Sequence, residues 1–344
     1  MPKTFDDGTM IPTSDARPWP EATGRPYRPG PHRVALITAA LTLPLLFVGG
    51  SVTSYGVGLA VPDWPTTFGI NMFLYNFWNE PFGVQLEHSH RLFGAAVGLT
   101  TLVLTGWLLA FEPRRSVKAL GVLALMAVIV QGVMGGLRVN QISTLLAAVH
   151  GGFAQAFFGL IVVLCVLTGR VWQVGPEGRG VTKVGAAGLR ALSLVMVGLA
   201  YGQIAVGAWF RHFRSGPALW THVVVAVAVL GLSHVLFARV RKISGSPLLP
   251  SARALVVATT VQFALGLLAL WLILPLGGNP RTPTLWQAMT RTAHQTNGAL
   301  LLAASVVLAL RAWRHLGSAV PDHLNQLGRQ TRTESAPRTV EVLA

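Results

Sequence analysis

The stretch 119–168, ALGVLALMAVIVQGVMGGLRVNQISTLLAAVHGGFAQAFFGLIVVLCVLT, decides the fold. It holds one charged residue, Arg138, in a short polar break between apolar runs at 119–137 and 145–168. About 20 apolar residues in helical form span the hydrocarbon of a bilayer. The stretch therefore reads as a helical hairpin that crosses a membrane and returns.

Six more runs of this kind lie outward from it, near 35–58, 88–110, 191–210, 218–238, 254–276 and 293–310. Of the 344 residues 52% are hydrophobic and 11% charged, against about a quarter charged in a soluble domain. Backbone in lipid must satisfy its own hydrogen bonds, which leaves helices as the spanning element. The expected fold is an all-α polytopic membrane protein of eight transmembrane helices in two pseudo-symmetric four-helix bundles. Its parts are a polar tail (1–34), a first half (35–168), a linker (169–190), a second half (191–310) and a disordered tail (311–344).

A formal charge of +15 suggests nucleic acid until the cations are located. Twenty-one of the 27 Lys and Arg fall in the two tails and in the loops at 111–118, 169–190 and 239–253. Arg91, Arg138, Arg211, Arg214, Arg281 and Arg291 fall on the other side. That asymmetry is the positive-inside signal, which places both termini in the cytoplasm and removes nucleic acid as a partner. The first 33 residues lack the apolar core of a signal peptide. The first span then acts as an uncleaved anchor, and a bacterial inner membrane is favoured over a transit peptide. Cys165, the one cysteine, lies inside a span and reads as a small hydrophobe.

The quoted hairpin is repeated. Gln131-x-x-x-Gly135 precedes His150 by 19 residues, and Gln203-x-x-x-Gly207 precedes His222 by 19, with the copies 72 residues apart. Gln262-x-x-x-Gly266 opens a third copy before His294. A first copy has Gly49-Gly50, no Gln, and a long loop before His90. The Gln residues read as interhelical hydrogen-bonding groups. Each unit is an outgoing helix, an external loop and a returning helix with a histidine near its start. The four imidazoles thus share one depth near the outer face, where two pairs suit the axial positions of two hemes. Zinc or copper is the competing reading, opposed by the absence of Cys or carboxylate clusters near them. His150-Gly-Gly152 and His294-Gln-Thr-Asn-Gly298 leave room for a flat macrocycle or, equally, for close helix packing.

Glu87-His88-Ser89-His90-Arg91 is the strongest local motif. Glu87 shares a helix face with His90 and with Arg91, as an acid–base group or as a charge pair at the helix start. Neither His222 nor His294 has such a carboxylate, so chemistry is expected at the first pair and a bound electron-transfer group at the second. His88 points away from His90, toward headgroups or the loop. His234 lies deeper with no partner at its level, and His32, His212, His315 and His323 fall in tails or loops. The aromatic loop near 59–86 reads as an interfacial lid or an aromatic belt, and the loop at 277–292 as its counterpart.

Gly58-Leu-Ala-Val-Pro-Asp-Trp-Pro65, Glu87-x-x-His90-Arg91 and the single histidines opening spans four, six and eight resemble the heme A synthase family over roughly residues 35–310. The resemblance implies oxidation of the C8 methyl of heme O, the substrate, to a formyl group for cytochrome oxidase. By position, His90 and His150 would flank heme O, with Glu87 the essential carboxylate beside Arg91. His222 and His294 would ligate a heme B cofactor. It further implies a heme O synthase and oxidase assembly factors as neighbours, within membrane lipid, and leaves a homo-oligomer open. Some members carry a cysteine pair in the first external loop, which this chain lacks. The rivals are a diheme cytochrome that only relays electrons and a heme carrier without turnover.

Overall fold

In the computed structural model, residues 27–174, 186–273 and 283–316 are described. In chain order they form α1 (Pro29–Tyr55), α2 (Phe82–Phe111), α3 (Arg115–Asn140), α4 (Thr144–Thr168), the short α5 (Arg170–Val174), α6 (Ala186–Phe213), α7 (Gly216–Arg241), α8 (Leu249–Ile273) and α9 (Leu285–His315). Eight of these are long and apolar enough to cross a membrane, with spans of 24 to 31 residues. At 1.5 Å per residue each exceeds the roughly 30 Å of hydrocarbon. The chain is a multi-pass membrane protein.

The helices outrun the apolar runs because helix starts are set by caps, not by hydropathy. Ser143 and Ser215 cap α4 and α7 through the backbone N–H of Leu146 and Ala218. Thr284 opens α9 with a reciprocal capping box to Gln287. The residue before each serine cap, Ile142 and Arg214, sits in the left-handed region at φ 51° and 55°. These two strained turns are also 72 residues apart, so the repeat extends to the backbone.

α1 packs on α2, α2 on α3, α3 on α4 and α4 on α1, a closed ring. α6 to α9 close a second ring in the same order. The rings meet where α1 touches α9, α4 touches α6, and α4 touches α9. Exchanging the two sets of four leaves this neighbour pattern unchanged, compatible with pseudo-symmetric halves. Ala35, Leu104, Leu108, Ala124, Ile161 and Leu164 fill the first ring. Met196, Leu236, Leu255 and Leu308 fill the second, together with Leu46 and Phe158 from the first. The seam is thus part of the core. Away from it, Leu99, Met126, Val224, Val227, Leu267 and Trp271 are exposed, as lipid-facing side chains should be.

Candidate functional site

The four histidines gather as two pairs at one end of the bundle. His90 (α2) and His150 (α4) have ring centroids 6.4 Å apart with planes at 77°. His222 (α7) and His294 (α9) are 6.1 Å apart at 70°. In each ring the paired helices are diagonal, so the imidazoles meet in the middle.

A glycine seats each ring. A methyl on Gly49 would stand 2.7 Å from Cε1 of His90, on Gly135 3.0 Å from His150, on Gly207 2.8 Å from His222, and on Gly266 3.1 Å from His294. Four residues before each glycine a backbone carbonyl faces the same ring, from Leu45, Gln131, Gln203 and Gln262. For His222 this closes a hydrogen bond, with Nδ1 donating to the Gln203 carbonyl at 3.1 Å. The Nδ1 atoms of the other three are buried without closing one. A histidine held through Nδ1 leaves Nε2 for a ligand. Leu45 stands where the other copies have Gln, because the position needs its carbonyl and not its side chain.

The Gln side chains tie the same helices together. Gln131 Nε2 donates to the His150 carbonyl at 2.8 Å, and Gln203 Nε2 does so to the His222 carbonyl. Gln262 differs: its Nε2 lies 3.2 Å from Nε2 of His294, and its Oε1 accepts from Asn297 at 2.9 Å.

The loop joining α1 to α2 folds over the first pair's end. Glu87 and Arg91 form a buried ion pair at 3.1 Å. Glu87 Oε2 also accepts the Val61 N–H at 3.1 Å. Arg91 donates to the carbonyls of Asp63 (2.7 Å), Thr66 (2.8 Å) and Val61 (3.1 Å). Arg138 Nη2 reaches the Gly58 carbonyl at 2.6 Å, and the Trp64 indole lies on Gly136. Asp63 accepts from Thr66 Oγ1 and from the N–H groups of Phe68 and Gly69. Partial burial works against its charge, but the Gly69, Thr66 and Phe68 donors outweigh this and hold its pKa below the ordinary Asp value. His88 is fully buried beneath the loop, 3.2 Å from Thr67 Oγ1 and packed by Tyr75 and Phe77. A shallow apolar groove lies open on the outer surface of the bundle between α2 and α3, lined by Gly94, Gly98, Gly132, Leu102 and Trp64 among others.

At the seam Arg211 crosses between the halves. It donates to Gln295 Oε1 at 2.5 Å, to the Gly50 carbonyl at 2.9 Å and to Ser54 Oγ at 2.7 Å. Ser54 also meets Thr292 Oγ1 at 3.0 Å.

The structure brings His90 to His150, His222 to His294, and Glu87 to Arg91. Glu87 turns its carboxylate to the loop and Arg91, one turn from His90. His32 is not in a tail: α1 begins at Pro29, and His32 Nδ1 lies 3.0 Å from the Cys165 carbonyl, docking α1 on α4. His212 and His315 likewise lie in the last turns of α6 and α9, not in loops. His323 and residues 274–282 of the last external loop lie outside the described residues, while 285–292 are already helix. The glycine seats were missed as such, although the Gln-x-x-x-Gly frame displays three of them. The contacts of Arg138, Arg211 and Trp64 were not legible, because their partners lie 72 to 161 residues away.

A metal–imidazole bond is about 2 Å, with the ring centre about 1 Å behind the nitrogen, so imidazoles on opposite sides of one metal have centres about 6 Å apart. Both pairs match that spacing. Among the described residues no cluster of three or more His, Cys, Asp or Glu forms. Each pair brings two imidazoles to the spacing that ligands on opposite sides of one metal ion would have.

Residues 32–222 match the COX15-CtaA family model, described as cytochrome oxidase assembly protein. The chain is 27% identical over 357 residues to the heme A synthase of Methylobacterium radiotolerans, covering 83% of this chain and 90% of that protein. It is 26% identical over 367 residues to the heme A synthase of Methylobacterium sp. (strain 4-46), covering 87% and 96%. To the heme A synthase of Alkalihalophilus pseudofirmus it is 28% identical over 181 residues, covering 52% and 58%. With the family model spanning more than half of the chain, this protein belongs to the cytochrome oxidase assembly family that includes the heme A synthases.

Proposed function

We propose that this chain is a heme A synthase, an oxidoreductase that converts the C8 methyl of heme O to a formyl group by two successive hydroxylations, each a two-electron oxidation by an external oxidant, and loss of water. The carrying observation is that two histidine pairs have heme-like spacing and only one has a carboxylate beside it. His90 and His150 flank heme O, and His222 and His294 hold heme B. When bound, heme B would supply one-electron redox chemistry. Glu87, in low dielectric, holds and returns the proton that each oxidation displaces. Arg91 pairs with that carboxylate and fixes the loop that covers it. The open apolar groove between α2 and α3 offers the long tail of heme O a lipid-facing surface. The chain lies in a bacterial inner membrane with both termini cytoplasmic and the histidine end outside, as its charge asymmetry supports. A heme O synthase and oxidase assembly factors are its expected neighbours, with a homo-oligomer an open state of assembly.

The test is pigment analysis of protein purified from cells that supply heme O, comparing wild type, Glu87→Gln and His222→Ala. Gln keeps an acceptor for the Val61 N–H and Arg91, so the loop stays closed while proton transfer is lost. Heme A or its hydroxylated precursor in wild type, with unmodified heme O in Glu87→Gln, supports the reading. Two bound heme B groups in all but His222→Ala, with no modified heme, would replace it with an electron-relay cytochrome.

A further inference from the structure

The second half carries an unbalanced charge at the histidine end. No Asp or Glu occurs between Glu177 and Asp322. Arg211, at the end of α6, makes its three hydrogen bonds to neutral acceptors. Arg291 and Arg214 stand within Coulomb range of it. The ion pairs among the described residues are Glu87–Arg91 and Glu112–Arg114, both in the first half. The carboxylates at the histidine end are committed elsewhere: Asp63 to its own turn, Glu80 to Tyr75, Glu87 to Val61 and Arg91. Arg211 and Arg291 are partly buried, with exposed Arg214 beside them. Partly buried guanidinium groups at a membrane boundary without a carboxylate partner are costly. Among the described residues no carboxylate supplies the compensating anion.

The location limits what that anion is. Arg211 binds Gln295, the residue after His294, and Arg291 precedes His294 by three, on the same face of α9. A guanidinium matches a carboxylate in shape and pairs with it through two parallel hydrogen bonds. We propose that Arg211, Arg291 and Arg214 form a carboxylate site that holds the propionate groups of the heme between His222 and His294. This rests on the heme reading of that pair. Arg211 would then join the heme carboxylates to Gly50 and Ser54 of α1, beside the Gly49 seat of His90.

The test binds heme B and its dimethyl ester, whose propionates carry no charge, to full-length protein in nanodiscs of phosphatidylcholine. Heme transfer to apomyoglobin is followed by Soret absorbance. Wild type should retain heme B at least about tenfold longer than the ester, the scale of one charge-assisted hydrogen bond. Arg211→Gln with Arg291→Gln should abolish that preference. Arg291→Gln with Arg214→Gln, which spares the α1 bridge, should reduce it if the first double variant misfolds. Equal retention of heme and ester by wild type, or an unchanged preference in the folded variants, overturns the carboxylate site. If His222→Ala leaves the bound pigment unchanged, the heme reading of the pair fails, and the carboxylate site with it.

Discussion

A single methyl group separates a usable histidine from a displaced one. At Gly207 a Cβ would approach His222 Cε1 to 2.8 Å, a contact side chains do not sustain. Alanine is a better helix former than glycine by about 1 kcal/mol, so Gly207→Ala should leave α6 intact and push the ring aside. Heme affinity at the second pair should fall about 10- to 100-fold, the usual effect of disturbing a ligand's support. Gly202→Ala, where nothing lies within 4 Å, should bind heme like wild type. Soret titration of both, beside their thermal unfolding, checks this. The histidines themselves were legible because polar groups inside apolar runs stand out. Their seats showed as a repeated Gln-x-x-x-Gly frame, but not as seats, because glycine is common here, with 37 copies.

The α1–α2 loop shows how motif residues become structure. Gly58, Val61, Asp63 and Trp64 of the recognised motif each meet an anchor on α2 or α3: Arg138, Glu87, Arg91 and Gly136 in turn. The motif was visible in sequence; the anchors were not, since each contact joins residues far apart in the chain. Asp63 ties the turn through the N–H groups of Phe68 and Gly69, and its folded pKa lies below the ordinary one. Such a carboxylate stabilises the turn fully above the ordinary Asp value of about 3.9, and that contribution is lost as pH falls through the lower folded pKa. Amide protection factors at Phe68 and Gly69 should hold from pH 7 to about 4 and decline only below. Asp63→Asn should remove that dependence, which hydrogen exchange across the pH range measures. Helix ends were the least legible elements, because Ser143, Ser215 and Thr284 set them beyond the apolar runs.

Across the whole molecule, the repeated hairpin, present four times, foreshadows two rings of two hairpins each. The seam was not foreseeable, because Arg211 looked like one more topology charge. The crossed imidazoles, at 77° in one pair and 70° in the other, carry a consequence for magnetism. Parallel axial rings split the two π-type d orbitals of a low-spin ferric heme and give three well-separated EPR lines. Crossed rings leave those orbitals nearly degenerate and give one strongly shifted low-field line. With ferric heme at both pairs, the protein should show two such low-field lines at liquid-helium temperature, and His294→Ala should erase one of them.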